Sequence, residues 1–158
     1  DYNPYFEEQN ISVLFAAQPF VGLSAHDNEK ELSDIYNDII LLAKNFPNYR
    51  FYIKLHPWDS GSLIEQNLTE LVNKIPNIFL SKETYVIKLI INCQIVISET
   101  STVLLEALNL NRTCISYNKR NHVKKINPYY NNNSIDIVDD FNSLKHALED
   151  FFLKISLK

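Results

Sequence analysis

The chain has 158 residues, 46% of them apolar and 12% aromatic, enough to bury one core and too few for two. Its formal charge of -4 comes from interspersed signs, so there is no basic face of the kind that binds nucleic acid, and nucleic acid is not an expected partner. No run reaches the roughly 18 apolar residues of a membrane span, and Asp1 to Tyr5 has neither the basic start nor the apolar stretch of a secretory leader.

From the N-terminus, Ile11 to Ala17 is the first nearly continuous apolar run, the mark of a strand covered on both faces. Leu32, Ile35, Ile39, Leu42, Ala43 and Phe46 then recur on one helical face. Phe51 to Leu55 is a second strand, and Ile64, Leu68, Leu71, Val72 and Ile75 mark the helix after it. Next come a strand at Ile78 to Leu80, a short helix from Tyr85 to Ile91 and a strand at Ile95 to Ser98. Thr102 to Leu110 is apolar almost all round through Val103, Leu104, Leu105, Ala107 and Leu108, which predicts a deeply buried helix. Cys114 to Tyr117 is the fifth strand. Asn118 to Asn133, with Pro128-Tyr129-Tyr130 inside it, is the one long irregular stretch, and loops of that length are functional or mobile. Ile135 to Val138 is a weaker sixth strand, and Phe141, Leu144, Leu148, Phe151, Phe152 and Ile155 set the face of a final helix.

Alternation of strand and helix predicts an α/β domain: a Rossmann-like, doubly wound parallel sheet of about six strands with helices on both faces, spanning residues 1–158 as a single nucleotide-binding unit. Right-handed crossovers favour the order 3-2-1-4-5 with the weak strand at a sixth edge. Ligands of such sheets bind outside the carboxyl ends, near the switch point between strands 1 and 4. The loops of interest therefore begin at Gln18, His56, Ser81, Ser98 and Asn118. With no methionine and Asp1 as its first residue, the chain reads as a piece of something longer. Cys93 and Cys114 lie in apolar stretches where a small buried hydrophobe serves as well as a thiol, which fits a reducing, cytoplasmic setting. The three glycosylation-type triplets at Asn10, Asn67 and Asn111 are what an Asn-rich chain produces by chance.

The chain has only Gly22 and Gly61, so neither of the glycine-rich phosphate loops is present, and no residue pattern calls for a metal or organic cofactor. Any phosphate must be held by side chains and by bare N–H groups at a helix start. Ser98-Glu99-Thr100-Ser101-Thr102 follows the fourth strand and runs into a helix, bringing hydroxyls and N–H groups together. Thr100 or Ser101 as a plain N-cap is the simpler reading; the place at the switch point favours an anion site. Lys54-Leu55-His56-Pro57-Trp58 ends the second strand, where Pro57 stops the ladder and restricts His56 to extended backbone, aiming its ring at the crevice. A lone His-Pro at a strand end is often only structural; two anion-friendly loops at one crevice carry more weight.

Lys-Leu-His-Pro at 54–57, Ile-Val-Ile-Ser at 95–98, Ser-Thr-Val-Leu-Leu-Glu-Ala-Leu at 101–108 and Arg-Thr-Cys-Ile-Ser at 112–116 occur in that order. The succession resembles the C-terminal domain of bacterial surface-polysaccharide GT-B enzymes. These include the sialyltransferase and polysialyltransferase type, capsule and Kdo transferases, and glycerophosphotransferases that use CDP-glycerol. The resemblance spans residues 11–117. It implies a donor site in which His56 and Pro57, with Ser101 and Thr102, contact the phosphate of a nucleotide-activated sugar, His56 being the catalytic donor or leaving-group acid. It also implies Glu106 on the ribose hydroxyls, with an ordinary solvent-facing Glu as the alternative. Gln18, before Pro19, either places an amide on the donor or caps a turn, and Ser98, at the end of the fourth strand, is a further expected substrate-binding residue. Ser81, Lys82 and Glu83 are the expected base contacts. The acidic-glycine motif that supplies the base in such inverting enzymes does not occur, since Asp59-Ser60-Gly61 sits in the His-Pro loop on the other side of the cleft.

The expectation is thus the donor-binding half of a CMP- or CDP-dependent glycosyl or polyol-phosphate transferase, inactive without an N-terminal acceptor domain. Its setting is cytoplasmic, with room for peripheral membrane association of the full-length enzyme. A UDP-N-acetylglucosamine 2-epimerase-type domain shares the fold and fits the His-Pro and Ser-Thr spacing less well. A non-catalytic nucleotide-binding or interaction module is the reading from another class.

Overall fold

A computed structural model describes residues 11–18, 25–59, 61–120 and 126–156, with backbone alone for 25–32. Six strands form one parallel sheet: β1 Ser12–Ala16, β2 Arg50–Lys54, β3 Ile78–Leu80, β4 Ile95–Ser98, β5 Thr113–Tyr117 and β6 Ile135–Val138. Their order is β3-β2-β1-β4-β5-β6, so the direction of winding reverses between β1 and β4 as expected. The apolar runs overshoot the ladder slightly: Ile11, Ala17 and Leu55 flank strands rather than belonging to them.

Side-chain alternation along the strands divides the core in two. Val13 and Phe15 of β1, Ile95 and Ile97 of β4, and Ile115 and Tyr117 of β5 point to one face. There they meet α1 (Ala25–Asn45) through Ile35, Ile39, Leu42 and Ala43, α2 (Leu63–Val72) through Leu68 and Val72, and α5 (Phe141–Ser156) through Leu144, Leu148 and Phe152. Leu14, Val96 and Cys114 point to the other face, against α3 (Val86–Asn92) and α4 (Val103–Asn109) through Ile90, Leu104 and Ala107. A strand that is buried on both sides needs an apolar residue at every position, which is why β1 and β4 read as continuous runs.

The expectation that α4 is deeply buried is corrected. Leu104 and Ala107 are fully enclosed, but Leu105 is 42% exposed and Glu106 faces out. The sheet covers one stripe of the helix, and its surplus apolar residues lie outside that stripe. The helix after β2 also stops short of Ile75, at the Asn73 cap, although Ile75 still packs on the core. The start of α2 is set by Ser62, whose Oγ accepts from the Glu65 N–H at 3.2 Å, while the Glu65 carboxylate accepts from the Gly61 N–H at 2.6 Å. Gly61 has φ +77, a left-handed turn that a side chain would strain.

Candidate active site at the carboxyl ends of the sheet

Beyond β2, Leu55 is buried and the chain turns through a short 3-10 helix, Pro57–Asp59, closed by the Asp59 N–H donating to the His56 carbonyl at 2.9 Å. Pro57 suits this turn because its fixed φ matches and its missing N–H is not needed there. The His56 ring is held by its own turn: Nδ1 accepts from the Trp58 N–H at 3.2 Å, and the Trp58 ring stands edge-on at 5.2 Å and 80°. With Nδ1 accepting, the neutral ring carries its proton on Nε2, a ready donor. Trp58 is 76% exposed. Asp59, by contrast, is folded inward and buried.

One strand over, Gln18 follows β1 and its Oε1 accepts from both the backbone N–H and the hydroxyl of Thr100, at 2.7 and 3.0 Å. Its amide oxygen therefore ties the end of β1 to the loop after β4. Ser98 is fully buried and its Oγ donates to the Ala16 carbonyl at 2.7 Å, so this hydroxyl is committed to joining the two central strands. Ser101 is half-buried, with Oγ accepting from the Val103 N–H at 3.3 Å, which leaves its hydroxyl hydrogen to donate. Thr102 is exposed and occupies the N-cap position of α4 without a side-chain capping bond. Neither the Ser101 nor the Thr102 N–H makes a hydrogen bond among the described residues. Because β1 lies between β2 and β4, the His56 turn and the Ser101 turn stand two strand spacings apart, about 10 Å. Glu106 projects from the first turn of α4 and is exposed.

Below the His56 turn, on the β3 side, is a cavity of about 280 Å³ lined by Lys54, His56, Pro57, Glu65 and the segment from Ser81 to Thr84. Lys82 pairs with Glu65, and the Glu65 carboxyl is held below its ordinary value first by the Gly61 N–H and then by Lys82. Ser81 Oγ accepts from the Glu83 N–H at 3.1 Å, and Glu83 accepts from the Tyr85 N–H at 3.1 Å, which lowers that carboxyl in turn. The three residues expected to face a base thus line one pocket with His56.

Several residues that organise this end of the sheet escape the sequence reading. Glu99 and Arg120 form a fully buried ion pair through two hydrogen bonds. Ser116 donates to the Glu99 carbonyl, and Asn127 donates to the Ser116 hydroxyl at 2.8 Å. The Tyr129 hydroxyl donates to the Ser101 carbonyl at 2.8 Å. The described parts of the long stretch after β5 are therefore fastened to the Ser101 turn. Tyr36 of α1 and Asp59 each carry a buried oxygen, the phenol oxygen and Oδ2, with no hydrogen-bond partner among the described residues. The Ser-x-x-Glu spacing at 62–65 was a legible cap signal; the pairing of Glu99 with Arg120, far apart in the chain, had none. No group of three or more His, Cys, Asp or Glu side chains suited to a metal exists among the described residues.

No family model matches the chain, and no curated protein matches it in sequence. Solved structures do match in fold. The Neisseria meningitidis UDP-GlcNAc 2-epimerase bound to UDP-GlcNAc superposes with a TM-score of 0.66 at 16% identity, over 98% of this chain and 39% of that one. The Methanocaldococcus jannaschii UDP-GlcNAc 2-epimerase, in complex with UDP-GlcNAc and UDP, gives 0.65 at 18% identity over 91% and 39%. The pneumococcal O-GlcNAc transferase in complex with UDP and GlcNAc gives 0.51 at 13% over 92% and 29%. The fold, an all-parallel six-stranded Rossmann-like α/β sheet, matches that of these GT-B neighbours. The chain spans about two-fifths of the length of the epimerases it matches.

Proposed function

We propose that this chain is the nucleotide-sugar donor domain of a GT-B glycosyltransferase, the C-terminal half of a two-domain enzyme whose other half binds the acceptor and supplies the base. The observation that carries it is the pairing of two donor-rich turns, at His56 and at Ser101, on either side of β1 at the switch point of a GT-B sheet. The Nε2–H of His56, the hydroxyls of Ser101 and Thr102 and the two open N–H groups beside them suit a phosphate lying across the end of β1. Pro57 fixes the His56 turn, Gln18 holds the Thr100 loop in register, and Ser98 acts through the sheet rather than on the donor. Ser81, Lys82 and Glu83 would receive the base in the 280 Å³ cavity, and Glu106 the ribose hydroxyls. The resemblance of the His-Pro and Ser-Thr motifs points to a CMP- or CDP-activated donor in surface-polysaccharide synthesis.

His56 tests the reading. Charge on the departing nucleotide phosphate grows as the glycosidic bond breaks, so a donor aimed there is worth more in the transition state than in the ground state. In the full-length enzyme His56→Ala should lower kcat by about 100-fold or more while the donor Kd changes by only a fewfold. Equal losses in binding and turnover would make His56 a substrate-holding residue. A parent-like kcat would remove it from the site.

The 2-epimerase reading has its own support, because the epimerases superpose more closely than the O-GlcNAc transferase. Stronger thermal protection by UDP than by CMP or CDP would favour it. Protection by no nucleotide would favour a non-catalytic module.

A further inference from the structure

Pro128-Tyr129-Tyr130 lies in the one long stretch that the sequence marks as irregular, and none of its side chains belongs to the donor site proposed above. Tyr129 is nevertheless only 5% exposed and packs in the core with Leu14, Val96, Leu104 and Cys114. Its backbone is tied on both sides. The N–H donates to Asn127 Oδ1 at 2.8 Å, an Asx turn across Pro128, and the carbonyl accepts from the Asn132 N–H at 2.8 Å. Asn127 is fastened in turn to Ser116 of β5. The phenol is thereby delivered to one point, the Ser101 carbonyl 28 residues earlier in the chain, at 2.8 Å.

We propose that Tyr129 is a positioning residue: its buried hydroxyl sets the plane of the Ser101–Thr102 peptide and so aims the donors of that turn at the ligand. The role rests on the donor-domain reading. A planar trans peptide points its carbonyl and its N–H in opposite directions, and no described peptide is cis. The same loop shows the consequence one step earlier. The Glu99 carbonyl accepts from Ser116 of β5, and the N–H of that same peptide, on Thr100, is turned the other way, to Gln18 beyond β1. By this geometry a Ser101 carbonyl held from the core by Tyr129 sends the Thr102 N–H away from the core. That N–H makes no hydrogen bond among the described residues.

The other holds on the turn are local. The Ser101 carbonyl also accepts from the Leu104 N–H at 3.1 Å, and Ser101 Oγ accepts from the Val103 N–H at 3.3 Å. Both donors belong to α4, a helix of seven residues whose N-cap, Thr102, makes no side-chain capping bond. So short a helix without a cap is a weak anchor. Among the described residues, Tyr129 makes the hydrogen bond that ties Ser101 or Thr102 to anything outside the turn and α4.

A buried phenol needs a partner for its own sake, and the bond to Ser101 meets that need. The Ser101 carbonyl, already bonded to Leu104, does not require it. The two roles separate cleanly. A hydroxyl that only satisfies itself affects stability alone, whereas a positioning hydroxyl also sets how well the turn binds.

The test uses this chain as the parent, with Tyr129→Phe, which keeps the ring in the core, and Tyr130→Phe as a control. Tyr130→Phe removes a hydroxyl of the same segment that accepts from Asn118 at 2.9 Å and does not touch Ser101. CDP affinity is measured by calorimetry, Tm without ligand, and the Thr102 amide by NMR through a CDP titration. Tyr129→Phe should lower Tm by no more than about 4 °C. It should weaken CDP binding about fivefold or more, with Tyr130→Phe within about twofold of the parent. The Thr102 amide proton should move downfield as CDP binds the parent, and by roughly half as much or less at saturation in Tyr129→Phe. Unchanged CDP affinity, or a Thr102 amide that responds as in the parent, would overturn the proposal, as would equal losses of affinity in the two variants. A larger fall in Tm with unchanged affinity would assign the hydroxyl to stability alone. If the parent binds neither CDP, CMP nor UDP, the donor-domain reading fails and takes this role with it. If the parent binds CDP and Tyr129→Phe binds it equally well, only the role of Tyr129 fails.

Discussion

His56 is fixed by the backbone of its own turn and Ser101 by the helix it introduces, so both donors are set before any ligand arrives. Preorganisation of this kind is what makes a hydrogen bond useful in a transition state. The two cysteines show the contrary case. Burial alone pushes the Cys114 thiol up to about 11, and pushes Cys93 to about 12 with Arg112 opposing the rise. Both should therefore resist alkylation at pH 8 in the folded protein and react together on unfolding. Since the unfolded thiols ionise near 9.0, stability should fall as pH climbs from about 9 through the folded values. Mass spectrometry after a timed iodoacetamide pulse checks the first point, and rapid modification of either cysteine in the folded state would contradict the burial.

At the scale of elements, the loop after β4 is held from three sides: by Gln18 from β1, by Tyr129 from the segment before β6, and by the Glu99–Arg120 pair from beyond β5. Breaking a buried pair leaves one uncompensated charge, typically at about 3–5 kcal/mol. Arg120→Met should therefore destabilise far more than Arg120→Met with Glu99→Leu, the double change approaching the parent in urea melts. A double variant as unstable as the single one would mean that the pair does more than neutralise itself. None of this could be read from sequence. An acidic residue between Ser98 and Thr100 looks solvent-facing, and pairing across a crossover leaves no periodic trace. β1 was legible because a central parallel strand is apolar at every position, and His56 because Pro57 both ends the strand and shapes the turn. Leu105 was misjudged because apolar spacing gives the width of a stripe but not how much of it the sheet covers.

At the scale of the molecule, the 3-2-1-4-5-6 winding puts Gln18, His56 and the Ser101 turn at one end of the sheet and the bulk of both cores behind them. That arrangement gathers the candidate site at one edge, while the chain spans about two-fifths of the length of the epimerases it superposes on. On the donor-domain reading proposed above, turnover would need a second domain facing this edge, and donor binding would fall to the residues described. The most direct measurement is the melting temperature of this chain with millimolar CMP, CDP and UDP, for the parent and for Ser101→Ala combined with Thr102→Ala. Each hydroxyl bond lost to a charged oxygen costs on the order of 1.5–3 kcal/mol. The predicted result is a nucleotide-dependent rise in Tm of the parent, larger for CMP or CDP than for UDP, that the double variant largely loses. A parent that no nucleotide stabilises, or a double variant protected as well as the parent, would contradict the site at the switch point.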